Sequence, residues 1–265
     1  MKIFGIICFL TSLIIITSCN EKETASEILQ KTVNSIDTIE TVYFKQDMSR
    51  TNPQNLNDVI LRYREMYFKR LTTDSIVGVK GHWYMYSDDK KNVIFEDIYN
   101  GNRLIRKNNQ DSAAMIYDLV KYPDFKKKHF WGHNTLYGMQ HEFKFILNNT
   151  DSFIINRLND TIINNKDCYQ IKVQLENKMT MPGFKIKLEN NEGSISNTLY
   201  YIDKEIFYPI GMKGESYSID NPEKKMFIDQ RYYDIKFNLI IDDNVQFKTS
   251  NESIAGYEKR EMKPE

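Results

Sequence analysis

The sequence predicts a mainly β fold (α+β): a single strongly curved antiparallel sheet, or incomplete β-barrel, with helices covering its concave face. Three observations lead there. Helical spacing opens the chain and returns only in its middle, period-two alternation dominates from residue 41 onward, and no Pro/Ser/Gly linker or low-complexity tract divides it. Short alternating segments bounded by turns read as strands with one buried face. A helix ahead of a long strand series favours helices packed on one side of one sheet.

The elements follow in order. Thr24-Ala-Ser-Glu27 reads as a capping box, and Ile28, Leu29, Val33 and Ile36 then share one helical face. In TVYFKQDM, Val42, Phe44 and Met48 alternate with Tyr43 and Lys45. In VILRYREMYFKRL, Val59, Leu61, Tyr63, Tyr67 and Leu71 alternate with Arg62, Arg64 and Arg70, which predicts an apolar side and a charged side. GVKGHWYMYS places Val79, Trp83 and Met85 together, and IYNGNRLIRK predicts a hairpin with a type I′ turn at Asn100-Gly101.

A short helix is expected through Ala113, Met115, Ile116 and Leu119, capped by Ser112 and stopped by Pro123; Leu136, Met139, Phe143 and Leu147 fit another. Strands resume at SFIINRL, DCYQIKVQL, TLYYID, IFYPIGM, KKMFIDQRYYDIKF and VQF, about ten in all by pattern. Tyr169, Ile171, Val173 and Leu175 share a face from which Cys168 points away.

The N-terminus carries a separate message. Lys2 is followed by an apolar run of about 15 residues, short of the roughly 18 to 20 that cross a bilayer and of the size of a signal-peptide core. Ile16-Thr-Ser-Cys19 resembles the bacterial lipobox. That resemblance implies removal of residues 1–18, a diacylglycerol thioether on Cys19, an acylated new amine, and a short lipidated tether over 19–24. The alternative is an ordinary secretory signal with an incidental cysteine. Asn20 behind the cysteine, in place of the aspartate resembling an inner-membrane retention signal, favours the outer membrane. A palmitate-type anchor with two chains holds a protein stably to a membrane.

Without residues 1–18 the charge is 35 basic against 36 acidic, a net of −1, so no nucleic-acid footprint is present. The remaining 247 residues suffice for one domain, expected over 25–265. Of three cysteines, Cys8 leaves with the signal and Cys19 is lipidated, so Cys168 has no intramolecular disulfide partner. The absence of C-x-x-C excludes dithiol redox chemistry.

His129, His133 and His141 superficially suggest zinc, but HEFKF lacks the second histidine of H-E-x-x-H, and no metal is expected. Asp88-Asp89 and Asp242-Asp243 read as turn carboxylates. No G-x-S-x-G, Walker loop or dinucleotide-binding glycine pattern occurs, so neither an enzyme nor a cofactor is expected. Phe130 and Trp131 beside Lys126 to Lys128 fit a membrane interface, or a solvated connection with buried rings.

Alternation makes Val42, Phe44, Leu61, Tyr63, Trp83 and Met85 the candidates for an apolar cavity, unless they only fill a sheet–helix core. ILQKTVNSIDTIETVYFKQ, IYNGNRLIRK, DTIINNKDCYQIKV and NTLYYIDKEIFYPIGM follow an order that resembles the LolA/LolB-like superfamily of periplasmic lipoprotein carriers and outer-membrane lipoprotein receptors, particularly Bacteroidetes versions. The resemblance implies a half-barrel whose apolar cavity accepts acyl chains or other apolar ligands. An anchored chain is more like the receptor than the soluble carrier. Ligand binding of this kind, or an accessory role holding a protein or glycan, are the two functions it implies.

Overall fold

The structure, a computed structural model, describes residues 22–52, 54–129, 135–175, 179–181, 186–188 and 194–263. Its strands in chain order are β1 (Thr41–Asn52), β2 (Asn55–Arg70), β3 (Val79–Tyr86), β4 (Val93–Tyr99), β5 (Arg103–Asn108), β6 (Ala113–Asp118), β7 (Phe153–Arg157), β8 (Thr161–Ile163), β9 (Lys166–Leu175), β10 (Met179–Met181), β11 (Ile186–Leu188), β12 (Ser194–Asp203), β13 (Pro209–Ser218), β14 (Asn221–Phe237) and β15 (Glu258–Glu261). The helices are α1 (Ala25–Asp37), α2 (Asp124–His129), α3 (Thr135–Asn148) and α4 (Asp243–Gln246).

Thirteen strands form one sheet in the order β15-β6-β5-β4-β3-β2-β1-β14-β13-β12-β9-β7, with β8 also on β9; β10 and β11 pair separately. β15 and β7 are the two edges, so the sheet stays open as an incomplete barrel. Every pairing is antiparallel except β15 on β6. The strands exceed the ten legible by pattern chiefly because β8, β10, β11 and β15 are only three or four residues long.

α1 begins as its sequence requires. The Thr24 hydroxyl accepts from the Glu27 N–H at 3.2 Å and the Glu27 carboxylate accepts from the Thr24 N–H at 2.7 Å. Ile28, Leu29, Val33 and Ile36 are at most 2% exposed. Their burial contributes on the order of 6–12 kcal/mol of transfer free energy as an upper bound. α3 lies against α1 and the same sheet face: Gln140 donates to the Val33 carbonyl at 3.3 Å, and Phe143 meets Tyr200 edge to face at 4.9 Å. Under these helices one cluster holds Val42, Phe44, Met66, Phe68, Trp83 and Tyr99. Gly81 is required within it, because a Cβ there would come within 2.7 Å of the Trp83 ring and 3.0 Å of Phe68.

Residues 113–118 correct the helix expected there. They form β6, and Ser112, at φ 49°, precedes the strand without capping a helix. The stretch is apolar on both faces because both are covered. Tyr117 faces the main core, while Ala114 and Ile116 pack with Ile105 and Ile254 from the C-terminal segment on the convex side. An apolar run buried on two faces has no period of two, and its spacing passes for a helix. VQF likewise lies at α4 and its end, where Asp242 caps the Asn244 N–H at 2.9 Å.

The hairpin at residue 100 is present with a different turn from that expected. Positive φ occurs at Gly101 (103°) and not at Asn100, whose side chain accepts from the N–H groups of Asn102 and Arg103 at 3.0 and 2.9 Å. The asparagine acts through its side chain, as Asx turns do.

Candidate functional site on the concave face

The ladder registers fix which side chains share the concave face. One row across it runs Asp97, Trp83, Met66 and Phe44. The next runs Phe95, Met85, Arg64, Gln46 and Tyr232, and beyond it come Arg62, Met48, Gln230 and Met212. A last row contains Ile60, Arg50 and Ile228. The face therefore has two halves. The first row packs beneath α1 and α3, whereas Met85, Phe95, Ile60 and Ile228 are half-buried and belong to none of the buried clusters; Met48 also lies outside them but is 7% exposed.

The sequence-predicted cavity residues divide accordingly. Val42, Phe44 and Trp83 are concave but fill the core, at 0%, 0% and 5% exposure. Met85 is concave and half-buried in the open half. Leu61 and Tyr63 do not join them: they pair with Ser49 and Asp47 on the convex face, where Leu61 is 39% exposed and Lys90 lies 4.1 Å from the centre of the Tyr63 ring. The inward set of β2 is instead Ile60, Arg62, Arg64, Met66 and Phe68, so the expected apolar and charged sides are exchanged over much of this strand. The convex side is rich in tyrosine because three hydroxyls, from Tyr43, Tyr67 and Tyr86, donate to Glu65 at 3.1, 3.2 and 2.9 Å.

Electrostatics also separate the halves. In the packed half, Asp74 accepts from Tyr99, from Lys126 at 3.0 Å and from the N–H groups of Ile76 and Val77 at 3.0 and 3.1 Å. Burial works to raise its pKa, but these hydrogen bonds hold its carboxyl below the ordinary value. Asp97 takes Arg106 bidentately at 2.9 and 2.6 Å. In the open half, Arg64 donates to Gln46 at 3.2 Å, and Gln46 donates in turn to Gln230 at 3.2 Å. Burial first, and then the Arg62 charge, lower Arg64 to about 10.

Two hollows lie apart from these residues. A cavity of ≈ 70 Å³ lies between α3 and β7, β9 and β12, lined by Phe145, Ile146, Phe153, Val173 and Leu175, with Glu142 and Tyr200 in its wall. It is smaller than the ~150 Å³ void that takes up a benzene ring. Burial pushes the Glu142 carboxyl up, partly offset by the Tyr200 hydroxyl donating to it at 2.6 Å. A cleft of ≈ 830 Å³ beside α4 is polar, and its Asp243 is already bound by Lys69 and Lys80 at 2.8 and 2.6 Å.

Cys19, Phe130, Trp131 and His133 lie outside the described residues, as does the side chain of His129. No group of three metal-ligating side chains occurs among the described residues. Cys168 does point away from the concave face, into a second cluster with Tyr201 and Ile210, and burial raises its thiol to about 11. What sequence reasoning missed is the arginine row. Its signal was present in the alternation of β2, but read in the opposite phase.

No family model and no curated protein matches the chain. Several solved structures are similar to it in chain course. A LolA superfamily protein from Nitrosomonas europaea is 12% identical, with a TM-score of 0.35 over 86% of this chain and 98% of that one. LprF from Mycobacterium bovis is 8% identical, with a TM-score of 0.48 over 82% and 95%. The lipoprotein LppX from Mycobacterium tuberculosis is 6% identical, with a TM-score of 0.47 over 82% and 98%.

Proposed function

We propose that this chain is an envelope lipoprotein, anchored through Cys19 to the outer membrane, that binds an apolar ligand without chemically changing it: an acyl chain, a lipid or another lipoprotein's anchor. The observation that carries this reading is the open half of the concave face. Met85, Phe95, Ile60 and Ile228 are half-buried there, next to the packed core and outside it. Flexible methionines suit a surface that adapts to chains of varied shape. Binding there removes further apolar area from water, at about 25 cal/mol per Å².

Extraction of the full chain from its native membrane, followed by mass spectrometry of co-purified lipid, tests the reading. A stoichiometric lipid supports it; lipid-free protein that also binds no added amphiphile overturns it. Palmitate labelling of wild type against Cys19→Ala tests the anchor, and equal label in both removes it. Replacing Phe130 and Trp131 with serine tests whether they add a second membrane contact.

A second reading, an anchored accessory module that holds a protein or glycan, draws on the convex tyrosines gathered around Glu65. Loss of a co-purified partner on Tyr67→Ala and Tyr86→Ala, with lipid unchanged, would favour it.

A further inference from the structure

The open half of the concave face contains more positive charge than its neighbours neutralise. Arg62 and Arg64 are two residues apart on β2, on the same face, and Arg50 of β1 is the diagonal neighbour of Arg62 through the Arg50–Ile60 and Met48–Arg62 pairs. They descend from the mouth inward: Arg50 is exposed, Arg62 and Arg64 half-buried. None of the three has a carboxylate partner among the described residues. Asp47, Glu65 and Asp229 are on the convex face, where Asp47 binds Lys90 at 2.8 Å, Glu65 takes its three tyrosines, and Asp229 meets Lys213 and Arg231 at 3.4 and 3.2 Å. Asp97, on the concave face, is committed to Arg106.

The contrast with Arg106 is informative. That guanidinium also lies on the concave face and is supplied with a bidentate aspartate. Arg64 is supplied with one amide oxygen, Arg62 donates to the carbonyl of Leu61 at 2.9 Å, and most of their five N–H donors each are left over. Like charges held together at partial burial oppose folding unless something else rewards them. A row of guanidinium forks matches the planar, bidentate geometry of phosphate oxygens. In the row of Arg64 lie Met85 and Phe95, both half-buried, so the cations are bordered by apolar surface.

We propose that this half of the concave face binds a phosphate-bearing amphiphile of net negative charge, with Arg50, Arg62 and Arg64 taking the headgroup and Met85 and Phe95 the first carbons of its chains. The inference rests on the ligand-binding reading above and specifies its ligand. The gradient of exposure sets the direction of entry: Arg50 meets the anion at the mouth, and Arg64 holds it where water is scarcer.

The test titrates the full chain in maltoside micelles with dihexanoyl phosphatidate, dihexanoyl phosphatidylcholine and inorganic phosphate, read by calorimetry. Phosphatidate is expected to bind about tenfold or more tighter than phosphatidylcholine, as charge-assisted hydrogen bonds provide. Arg62→Gln combined with Arg64→Gln should bring phosphatidate to the level of phosphatidylcholine and leave the latter unchanged. Equal affinity of wild type for the two lipids overturns the headgroup assignment and leaves apolar-ligand binding standing. Failure of both lipids to bind overturns both. Inorganic phosphate binding as tightly as phosphatidate overturns the amphiphile in favour of a free anion. If the double variant does not fold, the ranking in wild type still decides.

Discussion

Phe44 and Gln46 are alternate residues of β1 on the same face, yet they belong to different environments. Phe44 is wholly buried between Phe68 and Tyr232, at ring separations of 5.9 and 5.4 Å. Gln46 bridges Arg64 to Gln230. The apolar cluster of the concave face thus ends within one strand, at Phe44, while burial continues through Gln46 and Met48 and exposure begins at Arg50. Its end is set by where α1 and α3 lie, because both halves use the same ladder and the same alternation. The difference teaches that being inward in a half-barrel is not the same as being core: a residue is core only if a helix also covers it.

The largest effects that would break this distinction are in the packed half. Phe44→Ala should cost about 3–5 kcal/mol in urea unfolding, whereas Met85→Ala should cost less than about 1 kcal/mol. Similar values for the two would mean that the open half is packed as tightly as the core. Asp74→Ala should also cost about 3–5 kcal/mol, since it leaves buried partners without an acceptor. Because the folded Asp74 is held below its ordinary 3.8, its contribution is present above that value and is lost as pH falls through the lower folded one. An unfolding series toward acid should show this slope in wild type and lose it in Asp74→Asn.

A smaller effect of opposite sign is expected at Glu142. Its folded value is raised above 4.5, so the associated stability is full below 4.5 and is lost as pH rises through the raised value. Glu142→Gln keeps an acceptor for Tyr200 and should flatten that slope. An unaltered pH profile would show that the cavity under α3 is wetter than its lining implies. Thr24→Ala should cost about 1 kcal/mol through loss of the capping box, without altering ligand binding. Any change in ligand affinity there would mean that α1 moves with the open half.

The sequence by itself determined the mainly β class, the capped first helix, the hairpin at Gly101, the second long helix and the convex direction of Cys168. These features are local or periodic: a capping box, a turn glycine and an alternating strand each carry their cause within a few residues. What it could not determine was the phase of β2. Both of its faces carry large side chains, and the choice of Met66 and Phe68 for the core follows from pairing with Phe44, Val42, Trp83 and Gly81 on two other strands.

The strand at residues 113–118 needed the same kind of information, since its outer face is covered by Ile254 and Tyr257, far along the chain. The arginine row depended on the tertiary structure for the same reason. By alternation Arg62 and Arg64 fall on a charged side opposite the apolar one, and only the ladder turns them inward, because one residue of register moves every side chain of a strand to the other face.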